Sequence, residues 1–285
     1  ALAALVIGAL KMANVTEPRR VPLDVLSVML SALAFGGLLY ALSAVGEGSS
    51  HEQAISPIVP AVIGTIALVL FILRQMRLAR VSTPLLDLRT FATPNFTYAI
   101  VLIALASLVL FGSLIVLPIY MQTVLGLSTL TTGLLLLPGG LAMGLLAPIV
   151  GRLYDRVGPR PLLPVGAVII SVALWTMTAV LGADTPAFMV PIMHVLLFTG
   201  LAFTFTPLFS AGLGALPRNL YSHGAAILNT VQQVMGGVGT ALFVTLMTAS
   251  AAGPLAAGAS VVVANAAGVH AAFLAGAIIS LAGII

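Results

Sequence analysis

Charge is what this chain has least of. Only 6% of its 285 residues are Asp, Glu, Lys or Arg, against roughly a quarter in an ordinary soluble domain. Eleven basic and seven acidic side chains cannot cover a water-facing surface of this size, so a soluble globular fold is excluded. Cysteine is absent, which removes disulfides, thiolate catalysis and Cys-ligated zinc. The recognisable enzyme motifs are absent too. His51-Glu52-Gln53-Ala54-Ile55 approaches the H-E-x-x-H zinc motif but has Ile55 where the second ligand belongs, and no G-x-S-x-G nucleophile elbow occurs. Neither an enzyme nor a bound cofactor or metal is expected. The net charge of +4 sits in short basic clusters between apolar runs, a pattern suited to lipid headgroups and not to nucleic acid.

What the chain does have is long apolar stretches, with 60% hydrophobic residues. A hydrocarbon core of about 30 Å takes about 20 helical residues at 1.5 Å each. Cut against that ruler, the sequence gives seven complete spans, near 24 to 45, 57 to 78, 96 to 118, 129 to 150, 161 to 182, 187 to 211 and 225 to 249. An eighth begins near 267, and an apolar stub covers 1 to 12. Lys11 follows that stub instead of preceding it, the reverse of a secretory signal. The stub reads as the end of a further span, and the chain as part of a longer protein.

The connections test the segmentation. Lys11, Arg19 and Arg20 precede the first full span, and Arg74, Arg77, Arg80 and Arg89 fall around the second connection. Arg152, Arg156 and Arg160 fall at the fourth, and Arg218 at the sixth. All eleven basic residues therefore lie on one side, which the positive-inside rule makes cytoplasmic. The alternate loops carry only Glu47, Glu52 and Asp184. The expected architecture is an all-α, polytopic transmembrane bundle in a bacterial inner membrane.

Glycine and proline inside the spans, such as Pro118, Pro138, Pro148 and Pro207, are tolerable where helices pack in lipid. Gly140 and Gly144 form a GxxxG pair, open to a packing role or a dimer role.

The most specific motif is Gly151-Arg152-Leu153-Tyr154-Asp155-Arg156-Val157-Gly158-Pro159-Arg160, a tight basic connection between two spans. Glycines permit a sharp reversal, arginines hold the headgroups, and Asp155 can accept hydrogen bonds from them. It resembles the G-x-L-x-D-R-x-G-R-R signature of the major facilitator superfamily. A second block comprises Leu86-Asp87-Leu88-Arg89 with Phe91, Leu117-Pro118-Ile119-Tyr120-Met121-Gln122, Gly126-Leu127-Ser128 and Gly133 through Gly139. Its order and spacing resemble the fourteen-span drug:proton antiporters, as does Asn229-Thr230 followed by Gly236, Gly237 and Gly239.

That resemblance implies four parts: residues 1–20, the end of a preceding span and a cytoplasmic linker; 21–80, two extra central spans; 81–95, a second linker; and 96–285, the C-terminal six-helix bundle. It implies that Gly151, Arg152, Asp155, Arg156, Gly158 and Arg160 form a conformational latch. It also implies proton-coupled export of small amphipathic substrates by alternating access, with an N-terminal half, absent from this sequence, as partner across the bilayer and as the seat of the proton-coupling carboxylates. A nutrient or metabolite carrier of the same superfamily is the alternative within transport. A non-transporting scaffold or sensor is the alternative outside it.

Ionisable groups inside spans are rare. Asp24 sits at a span start, where an N-cap role competes with proton coupling. His194 lies well within a span and is open to a proton-relay or a packing role. Asn229, Gln232, Gln233 and Gly236 recur at i, i+3, i+4 and i+7, one helical face, whose amides require either interhelical hydrogen bonds or a wet cavity. By the superfamily arrangement, Tyr120 and Gln122 from the first bundle helix and Phe203 and Phe205 from the fourth would complete the substrate cavity, with His194 beside them.

Overall fold

The computed structural model describes residues 24–46, 56–81 and 84–284. Among them are eight long helices and no strand: α1 (Val25–Gly46), α2 (Ile58–Val81), α3 (Pro94–Thr123), α4 (Thr129–Val157), α5 (Pro159–Val180), α6 (Met189–Gly214), α7 (Tyr221–Ala256) and α8 (Val261–Leu281). All eight are long and apolar enough to cross a membrane. The stub at 1–12, the outer loop around residue 50 and its His51–Ile55 segment lie outside the described residues.

The helix ends have local causes. Ser128 and Ser260 cap α4 and α8, their hydroxyls accepting from the amides of Thr131 (3.2 Å) and Val263 (3.3 Å). Pro94 and Pro159 open α3 and α5 at positions where a missing N–H costs nothing. The Ser260 cap also explains why α8 starts at Val261 and not near 267, and the alanine-rich run after 249 lets α7 continue to Ala256.

The basic motif differs from the expected loop. Arg152 to Val157 continue α4 as helix, and the reversal is confined to Gly158, at φ 75° and ψ −176°. That conformation is essentially restricted to glycine, and Pro159 restarts the helix one residue later.

Both ends of the bundle are tied in a way that matches the charge alternation. At the arginine-rich end, His223 of α7 hydrogen-bonds through Nδ1 to the carbonyl of Leu85 (3.2 Å). At the opposite end, the Tyr120 hydroxyl of α3 donates to the carbonyl of Gly182 in the α5–α6 connection (2.8 Å).

α3 and α6 are the most buried spans and α4 the least. Ile103, Leu117, Met121, Leu197, Leu201, Phe243 and Phe273 form the centre of the core. With lipid as solvent, helices associate by close packing and not by expulsion of water. Accordingly, Gly37 and Gly64 bring α1 against α2, and Gly166 and Gly200 bring α5 against α6, at distances that leave no room for a methyl group. The GxxxG pair does not act this way. A Cβ on Gly140 or Gly144 would meet nothing within 4 Å, and the glycine of α4 that packs is Gly139.

Candidate functional site

The amide face of α7 divides in two. Gly236 is buried against the Phe111 ring of α3, where an added Cβ would lie 2.7 Å from a ring carbon. Asn229 and Gln233 are exposed and Gln232 is half-buried. Asn229 turns its amide back to the Ala225 carbonyl of its own helix (2.8 Å). Neither glutamine side chain hydrogen-bonds to another described residue, so both amides are available to a partner outside this bundle.

The aromatic and polar residues of α3 and α6 do not converge on that face. Tyr120 is fully buried, and its hydroxyl clamps the turn at Gly182. Gln122 is exposed at the C-terminal end of α3, donating to the Pro118 carbonyl (3.3 Å) and accepting from the Thr129 hydroxyl (3.2 Å). Phe205 is a core residue packed near Phe209, at 6.4 Å between ring centroids. Phe203 is half-buried.

His194 lies between α6 and α4. Its ring is 3% exposed, stacks at 4.1 Å on Phe198, and its Nδ1 occupies the place a Cβ of Gly139 would take. Nδ1 has no hydrogen-bond partner among the described residues. The ring is thus a packing element at the α4–α6 crossing in this conformation.

At the arginine-rich end of α4, Arg152, Asp155, Arg156 and Arg160 are exposed, and Gly151 and Gly158 half-buried. The Asp155 carboxylate forms no hydrogen bond or ion pair among the described residues, so the element presents one free carboxylate and three guanidinium groups to whatever lies against it.

A polar cluster that composition and spacing did not reveal joins α1, α2 and the following linker. Asp24 accepts from the Ser27 amide (3.3 Å), as an N-cap does, and from Arg74 Nη2 (2.8 Å) and Nε (3.0 Å). Gln75, fully buried, donates to the Ser27 hydroxyl (2.8 Å) and accepts from the Leu86 amide (3.0 Å). The Arg74 guanidinium is the main cause holding the Asp24 carboxyl well below its ordinary range. Asp87 is buried, caps the short turn Leu88–Ala92 and is gripped by the Arg89 guanidinium at 2.6 to 3.0 Å, which lowers its pKa likewise. The available signal was positional: Asp24 and Arg74 stand at the same end of two consecutive antiparallel spans.

The comparisons with known proteins agree with this architecture. The chain is 37% identical over 246 residues to the "Lincomycin resistance protein LmrB" of Bacillus subtilis, covering 86% of this chain and 50% of that protein. It is 29% identical over 251 residues to the "Multidrug resistance protein B homolog" of Mycobacterium tuberculosis, covering 85% of this chain and 45% of that one. The chain therefore spans about half the length of the curated relatives it matches. In fold it is similar to a bacterial homologue of the human lysosomal transporter Spinster, with a TM-score of 0.56 at 14% identity over 90% of this chain and 65% of that one. Residues 3–240 match the family described as Major Facilitator Superfamily. With eight apolar helices in a superfamily-like arrangement and a family match over most of its length, this multi-pass membrane chain belongs to the major facilitator superfamily.

Proposed function

We propose that this chain forms the C-terminal part of a secondary transporter that exports amphipathic drugs from a bacterial cell by alternating access, driven by inward proton flow. The observation that carries the reading is the 37% identity, over most of the chain, to a protein named for lincomycin resistance. The names of more distant relatives, which refer to multidrug resistance, point the same way.

The geometry is compatible with that reading. In alternating access two halves rock about a central site, so each half needs a face that is polar yet not self-satisfied. Gln232 and Gln233 supply such a face on α7, and amides there would orient a substrate whose apolar bulk meets aromatic and aliphatic side chains. Gly151, Arg152, Asp155, Arg156, Gly158 and Arg160 supply a charged element at the cytoplasmic surface, free to pair with the opposite half and to hold one conformation shut. Proton-binding carboxylates belong to that half in this account, because no Asp or Glu lies within the described spans away from their ends.

The test is transport by the complete protein in inside-out vesicles with an imposed pH gradient. The panel contains lincomycin, lipophilic cations and neutral metabolites. The reading requires gradient-dependent accumulation of lincomycin or of the cations. Movement of a metabolite alone would replace it with a nutrient-carrier reading.

A further inference from the structure

The α1–α2 pair does not lie flush on the bundle. Between it, the linker after α2 and the flanks of α3 and α7 is a cavity of about 540 Å³. Phe35 of α1, Phe71 of α2, Phe91 of the linker, Ala104 of α3 and Thr230 and Val231 of α7 are among its walls. Among the described residues that line it, Thr230 is the only polar one and none carries a formal charge. Such a wall rejects ions, since a buried charge without a partner is prohibitively costly. Nor is the space left empty at no cost. It is many times the roughly 30 Å³ share of one liquid water, and an unfilled void forfeits the dispersion contacts of everything around it.

The depth identifies what fills it. On α7 the lining runs from Ile227 to Met235, six to fourteen residues past the helix start, which is roughly 9 to 21 Å at about 1.5 Å per residue. Ala104 stands ten residues into α3, or about 15 Å. The floor is Leu86, Leu88 and Phe91 of the linker. The cavity therefore reaches from the arginine-rich end to about mid-bilayer, the depth of one leaflet in a core of about 30 Å. At this same end stand Arg74, Arg77 and Arg80 in the last turns of α2 and Arg89 in the linker, with two carboxylates, Asp24 and Asp87, engaged by Arg74 and Arg89. Arg77 and Arg80 form no ion pair among the described residues.

We propose that this cavity binds one acyl chain of an anionic phospholipid of the cytoplasmic leaflet, with its phosphate among these arginines. A hydrocarbon chain gains no hydrophobic transfer energy on leaving lipid for an apolar cavity. Retention then comes from filling the void and from the headgroup, so the site discriminates by charge, with about fivefold for each unpaired arginine near the surface. The lipid completes the packing between the α1–α2 pair and the bundle.

The test is native mass spectrometry of the complete protein in mild detergent, offered phosphatidylglycerol or phosphatidylcholine. Phosphatidylglycerol is expected to bind at least fivefold better. Ala104→Trp and Val231→Trp, which fill the cavity, abolish most of that binding, whereas Val69→Trp, on an exposed part of α2, leaves it intact. Ile227→Phe is a milder filling change and gives partial loss should either tryptophan variant fail to fold. Arg77→Gln with Arg80→Gln removes the preference for phosphatidylglycerol while phosphatidylcholine binding persists. Equal phosphatidylglycerol binding by the folded filling variants overturns the proposal. So does displacement of bound lipid by tetraphenylphosphonium, which would mark the cavity as a site for amphipathic cations.

Discussion

At the scale of single residues, neighbouring glycines on α4 have opposite consequences. A methyl group on Gly139 would collide with the His194 ring, whereas one on Gly140 would enter open space. Gly139→Ala therefore forces α4 and α6 apart and is expected to cost about 1 to 3 kcal/mol, as overpacking does. Gly140→Ala should stay within about 0.5 kcal/mol of the parent. Thermal unfolding of both variants in the same detergent separates them, and equal midpoints would contradict the crossing described here. The carboxylates of the polar cluster make a second prediction. Asp24 and Asp87 both have pKa values lowered by arginine partners. Such a group contributes stability that is complete above its unfolded value, about 3.9 for Asp. That stability is lost as pH falls through the folded value. The stability difference between the parent and Asp24→Asn should hence be constant from about pH 5 to 8 and shrink only below about pH 4. A difference that changes near neutrality would mean that another group controls the cluster.

At the scale of elements, the sequence was most readable where a signal extends over many residues. Twenty apolar residues leave little choice but a spanning helix, and α1 to α7 lie where hydropathy puts them. Ends were less readable because they turn on single groups: the Ser260 hydroxyl starts α8 earlier than hydropathy does, and Gly158 alone converts an expected basic loop into a continued helix. The direction of side chains was least readable. One residue's shift turns a helix face by about 100°, so Tyr120 and Phe205, cavity candidates by the superfamily arrangement, are buried in the core of this bundle. The Asp24–Arg74 pair joins residues fifty positions apart and required the packing of α1 on α2. Two expectations follow for elements as units. Single cysteines at positions 80, 156 and 218 should be labelled only from the cytoplasmic side of intact cells, and those at 125, 184 and 257 from outside. External labelling at 156 would refute the orientation. The α4 end is also expected to act on the conformational cycle and not on substrate contact, because Asp155 lies exposed beyond the apolar part of its helix. Asp155→Asn should reduce transport severalfold while leaving equilibrium drug binding within about twofold, within the 1.4 kcal/mol of a tenfold change. A selective loss of binding would assign it to the substrate site instead.

At the scale of the whole molecule, the described helices form a bundle whose closely packed interior is formed by α3 and α6 and whose α7 leaves two glutamine amides without a partner among the described residues. The amide pattern on α7 was legible as a stripe, but not how its members divide: Gly236 is packed against Phe111, Asn229 turns its amide to the Ala225 carbonyl, and Gln232 and Gln233 have no hydrogen-bond partner among the described residues. The central claim is that the face bearing these two glutamines borders a water-accessible path that opens alternately to the two sides. A single cysteine at position 233, in the complete protein with any cysteine outside this cysteine-free chain replaced by serine, tests it most directly. The account predicts modification by a small membrane-impermeant thiol reagent, at a rate that depends on the imposed pH gradient and is slowed by a transported drug, with a cysteine at 69 on α2 unreactive throughout. A cysteine at 233 as unreactive as the one at 69, with and without the gradient, would show that the amide face meets lipid or packed protein and would contradict the account.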